Sequence, residues 1–335
     1  MFSLRAFRSV LDNAVFGLDI GYETLRLVQV KKGINGISLI GCTDIPLTER
    51  ILDRDRIRNK AEAATLIKEA CRKAKPFPIT AKRIVSALPE TFAFSKTIQM
   101  PKMSAKDYAE AVPLEAAQYL PIPIEEAYFD YQTLIVHPEK ELVDILVVAA
   151  PKQLVEDYVE VTRMAGFELA ALETKPLAIG RALLVPKEKE GTAIIEIGTE
   201  FSRISIWDGT NIRLSTTVGT GKNQLFEALG IVYGDAKTKA IINRGNADNI
   251  TIPLNNIIDE TVSSIKYHSN RDFKAKEIKT ILLCGSGAKI EGIDHFIEKN
   301  IKISTKIAAP VLAGKETLGT EYTTAYGLSL RNEWE

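Results

Sequence analysis

The chain has 335 residues, of which 45% are hydrophobic and 26% are charged, a composition typical of a globular protein large enough for two packed lobes. Its 43 basic and 43 acidic residues cancel, so no bulk charge attracts the chain to an anionic membrane, and no nucleic-acid partner is expected. Three scattered cysteines argue against a disulfide framework or a zinc cluster and favour a reducing, cytoplasmic compartment.

No stretch of the sequence reaches the roughly 18 consecutive apolar residues that a membrane-spanning helix needs, and we expect no signal peptide. Residues 2–11 place five apolar side chains on one face of a helix, with Arg5 and Arg8 on the other. Two interpretations stay open: a helix that docks on a membrane surface or a partner, and a helix that rests on its own domain. The second is favoured because only two cations face outward.

The first part of the chain predicts three strands, a helix and a fourth strand. Apolar residues recur at every third or fourth position from 59 to 75, which is the spacing of an amphipathic helix, and Pro76 and Pro78 end it. The predicted strands are Val15–Ile20, Leu25–Lys31, Ile37–Ile45 and Ile84–Leu88. This order favours a mixed sheet that carries helices.

Residues 80–165 differ in pattern and predict a small inserted α+β module. Ser104 with Asp107 three positions later resembles a capping box, which opens a helix that runs to about Tyr119. The other predicted elements are strands at Tyr128–Leu134 and Leu142–Ala149 and a helix from about Lys152 to Ala165.

The remainder of the chain predicts a further unit of strands and helices. A strand at Phe167–Leu172 and a helix that starts near Lys175 lead into a charged linker at 187–190, and Asp208-Gly209 is a favoured hairpin turn. The other predicted elements are strands at Ala193–Ile197, Ser202–Trp207 and Lys279–Cys284, and helices at 222–229, 256–271 and 290–300.

Two segments of the sequence echo each other. DIGYETLR starts at Asp19 and EIGTEFSR starts at Glu196, so an acid, Ile, Gly, Glu and Arg recur in register. Each segment follows one apolar strand and precedes another, which predicts a β-hairpin tip. One such hairpin is most often only a turn, whereas two in matching contexts indicate a duplicated unit.

The residue types of these tips suit a phosphate ligand. Glycine lets main-chain N–H groups approach phosphate oxygens, and the leading carboxylate can hold Mg²⁺, usually through water. Asp19 and Glu196 are therefore the candidate metal residues. A third element, LLCGSGAK at 282–289, is predicted to be a strand followed by a glycine turn. Such a turn lets a ribose and base lie against the main chain. Its glycine spacing departs from the dinucleotide-binding fingerprint.

Together these elements resemble the phosphate-1, phosphate-2 and adenosine elements of the superfamily that contains actin, heat-shock chaperones and sugar kinases. Within it, the chain resembles the type IV pilus assembly proteins of the PilM family over nearly all of its length. The motifs that narrow the resemblance are MPKMS at 100–104, EAAQYLPIP at 115–123, Glu126, Asp130-Tyr131 and EYTTAYGLSLR at 321–331.

The resemblance implies an actin-like (ribonuclease H-like) α/β fold of two lobes with a nucleotide cleft and an inserted SHS2-like α+β subdomain. It gives residues 1–80, 166–190 and 315–335 to lobe I, residues 81–165 to the insert and residues 191–314 to lobe II.

The resemblance also implies ATP or ADP as the ligand, with Mg²⁺ held through water by Asp19 and Glu196. Glu173 is the implied catalytic residue, where hydrolytic relatives orient the attacking water. The implied cofactor-binding residues are Asp19, Gly21, Thr24, Arg26, Glu196, Gly198, Thr199, Ser202, Gly221, Lys222, Glu227, Gly285, Ser286, Gly287 and Lys289.

Several positions depart from the superfamily pattern. Tyr22 and Glu23 stand where small or hydroxyl residues are usual, Glu196 stands for Asp, and Ser286 stands where a glycine is common. A carboxylate near a phosphate weakens binding, so we expect Glu23 to point away from the cleft. Nucleotide binding with slow or no hydrolysis is the resulting prediction.

The family resemblance implies a cytoplasmic adaptor at the inner face of the plasma membrane. It would grip the N-terminal cytoplasmic tail of a PilN-like protein in a groove between the main lobe and the insert, and reach the membrane only through that partner. Contacts with pilus motor ATPases and self-association stay open.

Two alternatives are weighed against the pilus adaptor. An FtsA-like or other actin-like scaffold is disfavoured because FtsA proteins end in a linker and an amphipathic membrane helix, whereas this sequence stops four residues after Arg331. A small-molecule kinase is disfavoured because the insert is too small and its strands too apolar for a sugar site.

Overall fold

A computed structural model of the chain describes residues 14–48, 51–53, 56–89, 91–185, 190–209, 211–231, 242, 247–271 and 275–331. The amphipathic segment at 2–11 and residues 187–189 of the charged linker lie outside the described residues.

The described residues form strands and helices in an alternating order. The strands are β1 (Val15–Ile20), β2 (Thr24–Gly33), β3 (Gly36–Pro46), β4 (Leu52–Asp53), β5 (Arg56–Ile57), β6 (Lys75–Pro76), β7 (Arg83–Leu88), β8 (Phe94–Pro101), β9 (Ala127–His137), β10 (Leu142–Pro151), β11 (Glu168–Thr174), β12 (Gly191–Ile197), β13 (Ser202–Asp208), β14 (Asn211–Val218), β15 (Ile278–Cys284) and β16 (Ser304–Ile307). The α-helices are α1 (Lys60–Lys73), α2 (Ala105–Ala117), α3 (Lys152–Met164), α4 (Lys175–Leu183), α5 (Lys222–Ala228), α6 (Ala247–Arg271), α7 (Ile293–Ile301) and α8 (Thr323–Ser329).

The first lobe is built on a six-stranded mixed sheet in the order β11-β7-β1-β2-β3-β6. Successive side chains of a strand point to opposite faces, and β1 is buried on both. Phe16 and Leu18 pack in the cluster that contains residues of α1 and α3, such as Ile67 and Tyr158. Val15 packs in a separate cluster with residues of α4 and α8. The sheet is therefore covered by helices on both faces.

Helix α8 lies unusually close to its neighbours because two glycines remove side chains at the contacts. A Cβ atom at Gly17 of β1 would lie 1.9 Å from the carbonyl oxygen of Ala325, and one at Gly327 would lie 1.8 Å from that of Ala178 in α4. Neither distance is sterically allowed. The C-terminal GLSLR motif thus anchors α8 between β1 and α4.

The second lobe is built on a five-stranded sheet in the order β14-β13-β12-β15-β16. One face of β12 packs against α6 and α7, where Ile195 and Ile197 meet Leu254 and Ile293. On the other face, Ile194 and its neighbours pack against α4 and the insert. Helix α4 therefore lies between the sheets of the two lobes.

The insert is a three-stranded antiparallel sheet in the order β8-β10-β9, with α2 on one face. Ser104 caps α2 with a complete capping box to Asp107. Strand β7 belongs to the first-lobe sheet and α3 to the first-lobe core, although the sequence division assigned both to the insert. We therefore propose that the insert spans about residues 94–151.

The predicted fold class is confirmed: two α/β lobes face each other and an α+β subdomain is inserted in the first. Every predicted strand and helix within the described residues is present, and α6 begins earlier than predicted, at Ala247. Among the described helices, none combines the length and apolar character that a membrane crossing requires.

A buried polar network joins the insert to the second lobe. Asp144 of β10 accepts hydrogen bonds from Gln99 at 2.9 Å and from Arg213 of β14, and pairs with His137 at 3.0 Å. Arg213 also donates to Asp208 at 3.0 Å. Burial alone would raise the pKa of Asp144, but the hydrogen bonds from His137 and Gln99 and the charge of Arg213 outweigh it, so the pKa lies below its ordinary value.

We predict that Asp144→Asn lowers the free energy of unfolding at neutral pH by about 2 kcal/mol, because it removes one of the two carboxylates that pair with the buried Arg213 and leaves only Asp208. A carboxyl whose pKa is depressed by folding stabilises above its unfolded pKa of about 3.9 and loses this effect as pH falls through the folded value. The difference between wild type and variant should therefore shrink below about pH 4, measured by urea unfolding across this range. The exposed Glu110→Gln is the control, and a difference that persists unchanged in acid would contradict the prediction.

Candidate functional site

The two echoing segments fold into hairpin tips of the same geometry. In the first, the Gly21 amide donates to the carbonyl of Thr24 at 3.0 Å, and in the second the Gly198 amide donates to the carbonyl of Phe201 at 3.0 Å. A Cβ atom would lie 2.9 Å from the Thr24 oxygen at Gly21 and 2.8 Å from the Phe201 oxygen at Gly198. Both tips therefore require glycine at the same point, as a duplicated unit predicts.

An acid and an arginine face each other across each hairpin. Asp19 is opposite Arg26 in the pairing of β1 with β2, and Glu196 is opposite Arg203 in the pairing of β12 with β13. Arg203 Nη1 donates to Glu196 Oε2 at 2.9 Å. Asp19 instead pairs with the ammonium of Lys175, at 2.8 Å.

The two tips share one crevice between the lobes. It is a cavity of about 50 Å³, and both Asp19 and Glu196 line it. Its lining among the described residues is Asp19, Ile20, Gly21, Tyr22, Arg26, Pro89, Lys175, Glu196, Gly198, Thr199, Glu200, Phe201, Arg203, Gly285, Ser286 and Glu321. The first and the second lobe thus each contribute one hairpin to the same cleft.

Charges from both hairpins act on the pKa of Asp19. Burial alone would raise its pKa, but the charge and hydrogen bond of Lys175 outweigh burial, and the charges of Arg26 and Arg203 act in the same direction. The pKa of Asp19 therefore lies below its ordinary value. Arg203 belongs to the other hairpin, so the two tips are close enough for their charges to interact.

The predicted adenosine turn lies against the second hairpin. Gly285 has a φ of +85°, a conformation that suits glycine, and a Cβ there would lie 2.5 Å from the carbonyl oxygen of Ile197. The Gly285 amide donates to the Thr320 carbonyl at 3.1 Å, and Thr320 Oγ1 donates back to the Gly285 carbonyl at 2.8 Å. Gly285 and Ser286 line the cleft, whereas Gly287 packs behind it on Ile197.

Several predicted cofactor-binding residues lie outside the cavity lining. Ser202 Oγ donates to the carbonyl of Thr220 at 2.6 Å and is buried. Lys289 pairs with Glu321 at the surface, and Glu227 is exposed on α5. The predicted residues that do not line the cavity are Thr24, Ser202, Gly221, Lys222, Glu227, Gly287 and Lys289.

Glu23 lies outside this lining and reaches the opposite lobe. Its carboxylate accepts hydrogen bonds from Lys222 Nζ at 3.3 Å and from Asn223 Nδ2 at 3.0 Å, both at the start of α5. Asn223 also donates to Glu200 of the second tip. These contacts join the lobes beside the cleft.

Glu173, the predicted catalytic residue, lies outside the lining of this cleft. Arg181 engages both of its carboxylate oxygens, at 2.6 and 2.8 Å, and Arg331 Nη1 lies 3.2 Å away. It lines a different cavity from Asp19. Because both oxygens are held by guanidinium groups, the carboxylate is not presented to a water in the cleft.

Lys175, two positions after Glu173, lines the cleft. It was not among the predicted site residues. Strand β11 ends at Thr174 and Lys175 begins α4, so the alternation of side chains along the strand does not continue to Lys175, and Glu173 and Lys175 line different cavities. Arg203, Glu200, Phe201 and Glu321 were also missed as lining residues. The repeat of Arg26 and Arg203 in the two segments is the signal that could have identified Arg203.

A second, larger cavity of about 440 Å³ lies between the insert and both lobes. Strands β9 and β10 form one wall, β11 and α4 another, and β13 and β14 the third. Its apolar lining includes Leu134, Leu146, Leu172, Leu177, Leu184, Trp207 and Ile212. The ion pair of Glu173 with Arg181 and Arg331 forms its polar end.

Two lobes with matching hairpins on a shared cleft define an actin-like protein. MreB5 of Spiroplasma citri, solved with bound ADP, is similar in fold, with a TM-score of 0.54 and 14% identity over 96% of each chain. The ethanolamine utilization protein EutJ from Carboxydothermus hydrogenoformans has a TM-score of 0.54 and 13% identity, over 94% of this chain and 88% of that one.

The chain belongs to the family of the type IV pilus assembly protein PilM, whose profile matches residues 17–333. A solved PilM-PilN type IV pilus biogenesis complex is similar in fold, with a TM-score of 0.76 and 22% identity over 95% of this chain and 98% of that one. The predicted family is therefore confirmed.

Proposed function

We propose that this protein is a nucleotide-binding adaptor of the type IV pilus assembly apparatus, which docks the N-terminal cytoplasmic tail of a PilN-like membrane protein. The observation that carries the proposal is the groove of about 440 Å³ between the insert and the lobes, in a chain of the PilM family. Its volume is within the range of about 300–1,000 Å³ typical of ligand sites.

The lining of the groove suits a short peptide with aliphatic anchors. Leu134, Leu146 and Leu177 are among its aliphatic lining residues, and burying one aliphatic side chain of a peptide against them contributes about 1.5–3 kcal/mol. The solved relative is titled as a complex of PilM with PilN, which supports a PilN-like tail as the occupant.

The cleft between the hairpins is the proposed nucleotide site. The fold relative MreB5 was solved with ADP, and glycine at each tip leaves no side chain between the hairpin backbone and a phosphate in the cleft. The cleft has a volume of about 50 Å³, which is smaller than the roughly 300–1,000 Å³ of typical ligand sites. A nucleotide therefore enters when the lobes separate and the contacts of Glu23 with Lys222 and Asn223 open.

Helix α4 supports a link between the two sites. Its first residue, Lys175, pairs with Asp19 in the cleft, while Leu177 and Arg181 line the groove. A nucleotide that shifts Lys175 therefore acts on a helix that forms one wall of the groove. This arrangement favours the nucleotide as a structural or switching ligand, and with Glu173 outside the cleft we propose slow or no hydrolysis.

The predicted Mg²⁺ ion is not part of this proposal, because Asp19 and Glu196 are already engaged by Lys175 and Arg203. We place the protein at the inner face of the plasma membrane, held there through its PilN-like partner. Contacts with pilus motor ATPases and self-association remain further proposals.

A fluorescence anisotropy titration tests the adaptor function. The probe is a labelled synthetic peptide of the N-terminal cytoplasmic tail of the PilN-like protein from the same organism, and a scrambled peptide of the same composition is the control. We expect saturable binding of the native tail in the micromolar range and none of the scrambled peptide. Equal signals from the two peptides would overturn the proposal.

A further inference from the structure

Inside the cleft, Lys175 forms an ion pair with Asp19, the acid of the first hairpin. Lys175 is the first residue of α4, its ammonium lies 2.8 Å from Asp19 Oδ1, and its side chain is only 8% exposed. A buried ammonium and carboxylate at this distance form an ion pair that is costly to break by removing one partner. A cation that is to bind Asp19 Oδ1 must therefore first displace Lys175.

The acid of the second hairpin is held in the same way. Glu196 accepts hydrogen bonds from Arg203 Nη1 at 2.9 Å and from Thr324 Oγ1 at 3.3 Å, so each of its two oxygens has a partner. Over the described part of the chain, no group of three or more His, Cys, Asp or Glu side chains is arranged to hold a metal ion. At nucleotide sites Mg²⁺ is usually held by one or two carboxylates, water and the phosphates, and here the two candidate carboxylates are paired with Lys175 and Arg203.

A second cation faces the same cavity. Arg26 lines it from β2, directly across the strand pair from Asp19, and its Nε is buried without a hydrogen bond within the described residues. A guanidinium offers several N–H donors in a planar fork that matches the oxygens of a phosphate. Lys175 and Arg26 thus line the cleft on the side of the first tip, and Arg203 lines it on the side of the second.

We propose that Lys175 takes the place of the metal ion in this cleft, so that the phosphates of the nucleotide are bound by Lys175 and Arg26 with little dependence on Mg²⁺. This inference rests on the proposed nucleotide-binding function. It has a chemical consequence as well: a lysine ammonium has only donors, so at this point in the cleft it does not accept a proton from an attacking water. Lys175 therefore does not serve as the general base for hydrolysis.

Isothermal titration of the full chain with ADP and with ATP, in excess Mg²⁺ and in excess EDTA, tests the inference. For the wild type we expect dissociation constants that agree within about threefold in the two buffers, a difference below 1 kcal/mol. Lys175→Met should weaken binding at least about tenfold in EDTA, and Mg²⁺ should restore part of the loss. Lys175→Arg, which keeps the positive charge, should retain binding without Mg²⁺.

The exposed Lys299→Met is the matched control and should bind as the wild type does. Thermal unfolding of each variant separates lost binding from lost folding, and Lys175→Arg keeps the test valid if Lys175→Met is unstable. Wild-type affinity that falls tenfold or more in EDTA, with Lys175→Arg behaving alike, would overturn the inference while leaving nucleotide binding intact. A wild type that binds in neither buffer would overturn the nucleotide function and the inference with it.

Discussion

Gly21→Asp should abolish nucleotide binding while the protein remains folded. The new Cβ would lie 2.9 Å from the carbonyl oxygen of Thr24, so the tip must shift, and the added carboxylate would lie near Arg26, where we place a phosphate. At an effective dielectric of about 20, two like charges about 4 Å apart repel by about 4 kcal/mol, so affinity should fall by at least about 100-fold. Isothermal titration with ATP measures the change.

We make the same prediction for the glycine of the second tip, because the two tips have the same geometry. Gly198→Asp, at the equivalent point of the second tip, should be as damaging as Gly21→Asp, since its Cβ would meet the Phe201 carbonyl at 2.8 Å. Gly33→Asp is the control: it lies exposed at the far end of β2, where a Cβ meets nothing closer than 3.6 Å. Unchanged affinity in both tip variants would refute the location of the site.

Leu134→Asp should remove binding of the PilN-like tail and leave nucleotide binding as it is. Leu134 packs with the cluster that contains Leu146 and Trp207 and lines the groove. The substitution removes an aliphatic contact worth about 1.5–3 kcal/mol and places a charge against apolar side chains, so the dissociation constant should rise at least about 30-fold. The anisotropy titration with the labelled tail peptide reports this change.

Thr133→Asp is the matched control for this variant. Thr133 is the exposed neighbour of Leu134 on β9, so it receives the same charge on the same strand outside the groove. We expect near wild-type peptide affinity from it. If Thr133→Asp and Leu134→Asp weakened the peptide equally, or if neither did, the groove would not be the docking site.

Strong local patterns account for the parts of the fold that the sequence predicts well. The buried strands β1 and β12 are continuous apolar runs bounded by turn signals, and Ser104 with Asp107 marks the start of α2. Such signals depend on neighbours in the chain alone. They were sufficient to find both hairpin tips and two strands of the inserted sheet, β9 and β10, whereas β8 was not predicted.

The elements that were missed lack a local pattern. Every residue of α8 is buried, so no polar face gives it a helical period, and its close packing depends on Gly17 and Gly327. Strand β14 carries mostly half-buried polar residues at the sheet edge, and β16 has only 4 residues. These elements are stabilised by tertiary contacts that a single sequence does not display.

The residues of the candidate site also differ in whether a local sequence pattern predicts them. Gly21, Gly198 and the leading acids follow from the repeated segment, because the tip geometry itself requires them. The partner of Asp19 does not, since Lys175 reaches it from the start of α4, which is distant in sequence. Glu173 was predicted in place of Lys175 because the exact residue at which β11 ends and α4 begins decides which side chain enters the cleft, and the sequence does not fix that residue.

A crystal structure of the protein with a bound ATP analogue tests most directly whether the two lobes hold one polyphosphate. We predict phosphate oxygens within hydrogen-bonding distance of main-chain N–H groups from both tips, at residues 21–24 and 198–201, with Lys175 Nζ on a phosphate. Phosphates that contact one tip alone, or a nucleotide bound outside this cleft, would contradict the account.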